Sequence, residues 1–336
     1  MPQRLTLPCD GTYTARYERR ASGFHMRMFR TGLLERLHGV SHRPALALAI
    51  VVALIAALTG RALDAQARER TLFVSAVDDK GEPVEGLGPD DFIVREDGRR
   101  REVLRVSRAT EPIDIALLVD NSQAASDEIT FIRDALTTFV AQMAPDHRLA
   151  IIAIADRPTV FVEYTSDVQR LNQAIGRLFA MSQSGMTLLD AIWETARGLE
   201  KRSGPRAVMI PVFTDGIEFT NRYAKDVTQA LTRAGVALHA VGLGTFMHSE
   251  DHPVRERSFL LDQGPRASGG QRILLLAPHA LGTTLARIGR ELAAQYKVVY
   301  GRPDSLFGFD GLEIASAKPG ITMRGTPERG ESGAGR

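Results

Sequence analysis

The chain has 336 residues, 44% hydrophobic and 24% charged, a globular composition that excludes wholesale disorder and collagen-like repetition. Its net charge of +2 is uneven: residues 1–67 hold nine Lys/Arg against four Asp/Glu, and the remaining 33 basic and 36 acidic residues leave the rest at −3, which gives no support for a nucleic-acid-binding surface. The single cysteine, Cys9, excludes a disulfide framework and a cysteine zinc site.

Ala45 to Leu58 is an unbroken apolar run of 14 residues, shorter than the about 20 that span a bilayer. Basic residues precede it and Ala65-Gln66-Ala67 follows. That order predicts a secretory signal cleaved after Ala67, with Met26 or Met28 better placed than Met1 as its start. The alternative is an uncleaved membrane anchor over residues 45–60. Export, whether periplasmic, to the cell surface or secreted, is the expected localisation, and the membrane enters only through this segment. No cysteine follows the run, so a lipid anchor is not expected.

After this leader, residues 1–67, the period changes to two. Leu72, Val74 and Ala76 alternate with Phe73, Ser75 and Val77, and Phe92–Val94 and Val103–Val106 add two short strands around turns at Asp78–Gly81 and Glu96–Gly98. Residues 70–108 read as a small β module that leans on its neighbour. Arg99–Arg101 reads as a solvated hairpin.

From Ile113, apolar strands alternate with amphipathic helices. Strands are expected at Ile113–Val119, Leu149–Ala155, Val160–Val162, Ala207–Phe213, Val236–Leu243 and Tyr296–Tyr300. Helices are expected around Ile129–Met143, Val168–Phe179 (capped by Ser166 or Asp167), Leu188–Leu199, Val227–Ala234 and Leu281–Leu292. The Phe246–Gly270 stretch, with His248 and His252, reads as a polar insertion loop, His239 as a hydrogen-bonded core histidine and Trp193 as packing. The pattern predicts an α/β fold over 110–303: a doubly wound, mostly parallel sheet with helices on both faces, Rossmann-like, preceded by the β module. Residues 304–324 read as a closing strand region and 325–336 as a disordered tail.

Such a sheet binds ligands at the carboxyl ends of its strands. The first strand ends in Asp120-Asn121-Ser122-Gln123-Ala124, a later loop carries Thr187 just before a helix, and the fourth strand ends in Thr214-Asp215-Gly216. Two carboxylates and two hydroxyls at one edge are hard oxygen donors of the kind that suit Mg²⁺ or Mn²⁺.

These residues resemble the metal-ion-dependent adhesion site of a von Willebrand factor type A (vWA) domain. Its pattern is Asp-x-Ser-x-Ser, a later threonine, and an aspartate before glycine. Asp120, Ser122, Thr187 and Asp215 match, and Ala124 stands where the family has its second serine and offers no oxygen. The resemblance extends to a bacterial group of exported "VWFA-related" proteins through Val77–Gly81, Asp91-Phe92, Glu96–Gly98 and Gln295–Tyr300, over nearly all of residues 70–325. It implies a non-enzymatic protein-binding module. Ser122 and Thr187 would be direct ligands of the ion, Asp120 and Asp215 would act through waters, and an acidic side chain of a protein partner would complete the coordination. A metal-independent interaction domain, using the same face or the 246–270 insertion, stays open. A hydrolase or nucleotide-binding α/β protein is disfavoured: the chain has no Gly-x-Gly-x-x-Gly after the first strand, no Walker lysine motif and no Gly-x-Ser-x-Gly.

Overall fold

The computed structural model describes residues 67–246, 249–303 and 311–330. The apolar run 45–58, Cys9, His248 and residues 331–336 lie outside them. Among the described residues no helix is long and apolar enough to cross a membrane.

Strands β1 (Ala67–Val77), β2 (Phe92–Glu96), β3 (Arg99–Arg101) and β4 (Val103–Arg108) open the described chain. Arg99–Arg101 is half of a hairpin with β2, with Arg99 and Arg100 exposed as expected but Arg101 turned in to an ion pair with the buried Glu96 at 3.2 Å. Then come β5 (Ile113–Val119), helix α1 (Ile129–Met143), β6 (Arg148–Ala153), β7 (Thr159–Thr165), α2 (Val168–Gly176), α3 (Leu188–Glu200), β8 (Arg206–Phe213), α4 (Ala224–Ala234) and β9 (Val236–Leu243). The chain continues with α5 (His252–Ser268), β10 (Gln271–Leu275), α6 (Leu281–Ala293), β11 (Tyr296–Pro303), β12 (Leu312–Ser316) and β13 (Thr322–Pro327).

The central sheet has six strands in the order β10-β9-β8-β5-β6-β7, all parallel except β7. All seven residues of β5 are buried, because helices cover both faces. Ile113, Ile115, Leu117 and Val119 pack into one core with α1, α2 and α6. Ala116 and Leu118 point the other way, into a core with α3, α4 and α5. The fold is the expected doubly wound α/β architecture. Asp167 caps α2, its carboxylate accepting from the N–H groups of Gln169 and Arg170 at 2.9 and 3.1 Å.

The β module draws on both ends of the described chain. β1 lies between β13 and β11, and β4 pairs with β11, in an antiparallel sheet ordered β13-β1-β11-β4. A second sheet, β12-β2-β3, completes its core of Leu72, Val74, Phe92, Val94, Tyr296, Val298 and Tyr300. Tyr296–Tyr300, read as the last strand of the α/β segment, thus joins the β module instead. Its alternation of Tyr296, Val298 and Tyr300 serves that second core. The other face of β1 turns to the α/β region: Ser75 accepts from Gln295 Nε2 at 3.0 Å, and Phe73 lies 5.3 Å beneath the Arg206 guanidinium.

Two further expectations are corrected. The tail read as disordered from Gly325 is ordered as far as Gly330, because Gly325–Pro327 belong to β13 and the guanidinium of Arg329 is buried against Asp114. The polar stretch 246–270 contains helix α5 instead of being a loop throughout. Its inward face includes Glu256 and Arg257 beside Leu260 and Leu261, so its buried side is half polar and hides from an apolar periodicity.

Candidate functional site

The carboxyl ends of β5 and β8 are tied together by Asp120. Its backbone N–H donates to Val212 O at 2.9 Å. Its Oδ1 accepts from the Ser122 N–H at 2.8 Å, and its Oδ2 from the Thr214 N–H at 2.9 Å and the Thr214 hydroxyl at 2.5 Å. The carboxylate is fully buried, and these three neutral donors satisfy both its oxygens.

Ser122 is buried at the start of a short turn, and its Oγ has no hydrogen-bond partner. Gly216 lies against it: a Cβ there would sit 3.1 Å from Ser122 Oγ and 3.4 Å from the Ala124 Cβ. Thr187 precedes α3. Its N–H donates to Ile154 O at 3.1 Å and its hydroxyl to Ala155 O at 2.9 Å. The structure thus places all four sequence-derived residues at one edge of the sheet, with Asp120 and Thr187 fixed by backbone of neighbouring strands and loops.

Asp215 is held differently. Arg257 of α5 donates from Nη2 to Asp215 Oδ1 at 2.6 Å and from Nη1 to the Gly216 carbonyl at 2.9 Å. The Arg257 side chain is only 3% exposed and lies 5.7 Å from the Phe246 ring centroid. Glu218, three residues on, is also 3% exposed. Its Oε1 accepts from the Leu189 N–H in the first turn of α3 at 3.3 Å, while Oε2 has no hydrogen-bond partner. Burial pushes this acid up to about 8, against the opposing pull of the Leu189 N–H and Arg257 and with the support of Asp190 and Asp120.

The loops around these residues are zipped to one another. Met186 N donates to Ile217 O, and Phe219 N to Met186 O, both at 2.7 Å. This extended pairing turns Glu218 inward and Ile217 and Phe219 outward, 71% and 52% exposed. Asn121 fixes the loop that follows α2: its backbone carbonyl accepts from Met181 N at 2.8 Å and its Nδ2 donates to Phe179 O at 3.4 Å. Phe179 and Met181 are exposed as well. Phe179, expected on a buried helical stripe, lies beyond the end of α2 at Gly176 and faces outward. The Phe219 ring packs over Gly185, and a cleft of about 560 Å³ opens beside it between Asp190, Glu218, Arg222 and Pro253.

A divalent ion as the resemblance implies needs free oxygen donors and uncompensated negative charge. Ser122 Oγ meets the first need. Ala124 contributes nothing, both oxygens of Asp120 are engaged, and Oδ1 of Asp215 already faces a guanidinium. Among the described residues no three His, Cys, Asp or Glu side chains are grouped to hold a metal. The residues present do not fit the ion as the family holds it.

An open α/β sheet with this strand-end constellation defines a class of binding domains built on loops at one edge. Residues 114–255 match the family model of the von Willebrand factor type A domain, and the chain carries a vWA domain there. Among solved structures, proximal thread matrix protein 1 from the mussel byssus, described with a zinc-occupied MIDAS motif, shares 16% identity over 59% of this chain and 49% of its own, with a TM-score of 0.43. A von Willebrand factor type A protein from Catenulispora acidiphila shares 11% over 79% and 74%, with a TM-score of 0.44. The vWF domain of a type V pili tip protein from Porphyromonas gingivalis shares 10% over 54% and 95%, with a TM-score of 0.42. This chain spans about half the length of the mussel protein. No curated protein matches it in sequence.

Sequence reasoning missed Arg257, Glu218 and Asn121. Arg257 sits in the stretch taken for a loop. The signal for a helix there was Asp251-His252-Pro253, an N-cap residue with proline in the first turn.

Proposed function

We propose that this chain is an exported, non-enzymatic protein-interaction module that grips a protein partner with the strand-end face of its vWA domain. The observation that carries this is the outward pair Ile217 and Phe219 on the loop that continues from Asp215, together with Phe179 and Met181, exposed on the loop that Asn121 holds next to Asp120 and Ser122. Exposed large apolar side chains grouped on one face mark an interaction site, and buried apolar anchors supply most of the energy of such contacts. The partner segment presents apolar side chains to this rim. Asp120, Thr187 and Asn121 hold the loops in place before the partner arrives, which lowers the ordering cost of binding. No step of this recognition runs through a metal. The Ser122 hydroxyl has no base in hydrogen-bond contact among the described residues, which supports a binding role over a nucleophilic one. Export rests on the apolar run before Ala67.

The test is a pull-down with the purified protein and with an Ile217→Asp/Phe219→Asp variant. Both should melt alike, since both side chains face water. Specific partners should be retained by the first and lost by the second. Retention of the same proteins by both would remove the face from consideration.

A further inference from the structure

We propose that the guanidinium of Arg257 is the resident cation of the strand-end site, taking the place of a metal ion and making the domain independent of divalent metals. Three observations carry this. First, Arg257 reaches from α5 to both groups at the end of β8: its Nη2 is 2.6 Å from Asp215 Oδ1 and its Nη1 is 2.9 Å from Gly216 O. Second, its side chain is 3% exposed and its remaining surroundings include the Phe246 ring. A buried guanidinium is tolerated only where anionic and carbonyl oxygens receive its donors, so it is an integral part of this site rather than a surface charge resting on it. Third, the position that would supply the missing oxygen is Ala124, whose Cβ lies close to Gly216. Loss of an oxygen donor and gain of a fixed positive charge act in the same direction. A divalent ion at this edge would face a permanent cation sharing its carboxylate.

The consequence for the chain is mechanical. Through Arg257 the helix α5 holds the Asp215-Gly216 corner from which Ile217, Glu218 and Phe219 continue. The adjacent residue Glu256 accepts from the Ala224 N–H at 2.8 Å and so fixes the start of α4. One turn of α5 therefore holds both ends of the loop between β8 and α4 without any ion. This inference concerns the same face as the proposed partner site, but partner binding plays no part in its test.

The experiment is thermal melting of four proteins in chelator and in millimolar Mg²⁺ or Mn²⁺: the wild type, Ala124→Ser, the double variant Ala124→Ser/Arg257→Gln, and Asp215→Asn. The wild type and Ala124→Ser should melt at the same temperature with and without either ion. The double variant, with the serine oxygen supplied and the guanidinium removed, should gain an ion-dependent rise. Asp215→Asn should lower the melting temperature equally in chelator and in metal, because it leaves a buried guanidinium without its carboxylate. A metal-dependent rise in the wild type or in Ala124→Ser would overturn the proposal. A folded double variant that ignores both ions would also overturn it. Should the double variant not fold, the wild type, Ala124→Ser and Asp215→Asn still decide.

Discussion

Arg329, beyond the last strand, donates from Nη1 to the carboxylate of Asp114 at the start of β5, 3.2 Å away. The same guanidinium also donates to the carbonyls of Leu199, in the last turn of α3, and Arg202, just beyond that helix's end. Asp114 is fully buried and receives Arg148 and Arg202 besides. The end of the described chain is thus fastened to the edge of the sheet opposite the candidate site, and the β module is closed onto the vWA domain by residues far apart in sequence.

Arg329→Ala should therefore cost about 2 kcal/mol in denaturant unfolding. That is below the 3–5 kcal/mol typical of breaking a buried pair, because Asp114 keeps two other arginines. Arg105→Ala, which removes an exposed partner of Glu69, should be nearly silent. Equal losses at both positions would show that the tail is not fastened as described.

The pH dependence of stability should carry a signature of Glu218. Its native pKa, raised by burial to about 8, lies above the ordinary 4.5 of the unfolded chain. Between these values the native state holds a proton that the unfolded state has released. The stability contributed by this group is full below about 4.5 and is lost as pH rises through about 8. His239, lowered by burial to about 4 from 6.5, acts in the opposite sense, losing stability as pH falls through that window. Glu218→Gln should flatten the decline on the alkaline side, and its advantage over the wild type should grow from pH 5 to about pH 9 as measured by melting temperature. A difference curve that stays level across that range would contradict a proton on Glu218.

The central sheet was legible because its inner strands β5, β6, β8 and β9 are nearly continuous apolar runs and most of its helices keep a clean apolar stripe. Leu118 and Leu117 read as buried from sequence and are buried on opposite faces. Asp120, Ser122, Thr187 and Asp215 were legible because each stands at a strand or helix boundary. Arg257 was not, since a buried charge on an inward helical face looks like solvent exposure in a hydropathy pattern. Nor was the pairing of β11 with β1, which depends on long-range contacts that short apolar runs do not encode. Phe179 shows the reverse error: apolar periodicity continued past Gly176, where the helix stops.

Leu118→Asp should unfold the domain. The residue pairs with Ile152 on one side and Pro211 on the other and is fully buried, so a carboxylate there has no partner. Glu250→Asp, at an exposed position before α5, should leave the melting temperature unchanged. Comparable melting losses at both would contradict the placement of Leu118 at the centre of the sheet.

Cleavage after Ala67 would leave a chain starting at Arg68, which pairs with Arg302 in β1–β11. All of the β1 register from Arg68 to Val74 on that side is therefore retained in the mature protein. N-terminal sequencing of the exported protein should read Arg68-Glu69-Arg70. Recovery of residues 45–60 in a membrane fraction would establish the anchor instead.

Gly185 gives the sharpest test of how the face is built. A Cβ there would meet the Phe219 ring and lie 2.7 Å from the Ile217 carbonyl oxygen. The ring is exposed and can swing away, but the carbonyl belongs to the short pairing through which Met186 holds Ile217 and Phe219. Gly185→Ala must shift that backbone, so it should cost about 1–3 kcal/mol, the usual range for forcing extra volume into a packed site. It should also weaken partner retention even at temperatures where the variant is folded. Gly198→Ala is the matched control. Gly198 lies inside α3 with nothing within 4 Å of a new Cβ, so alanine there should stabilise by about 0.5–1 kcal/mol through helix propensity and a less flexible unfolded chain. If Gly185→Ala were as well tolerated as Gly198→Ala in both melting and pull-down, the loop pairing that turns Ile217 and Phe219 outward could not be what sets the face.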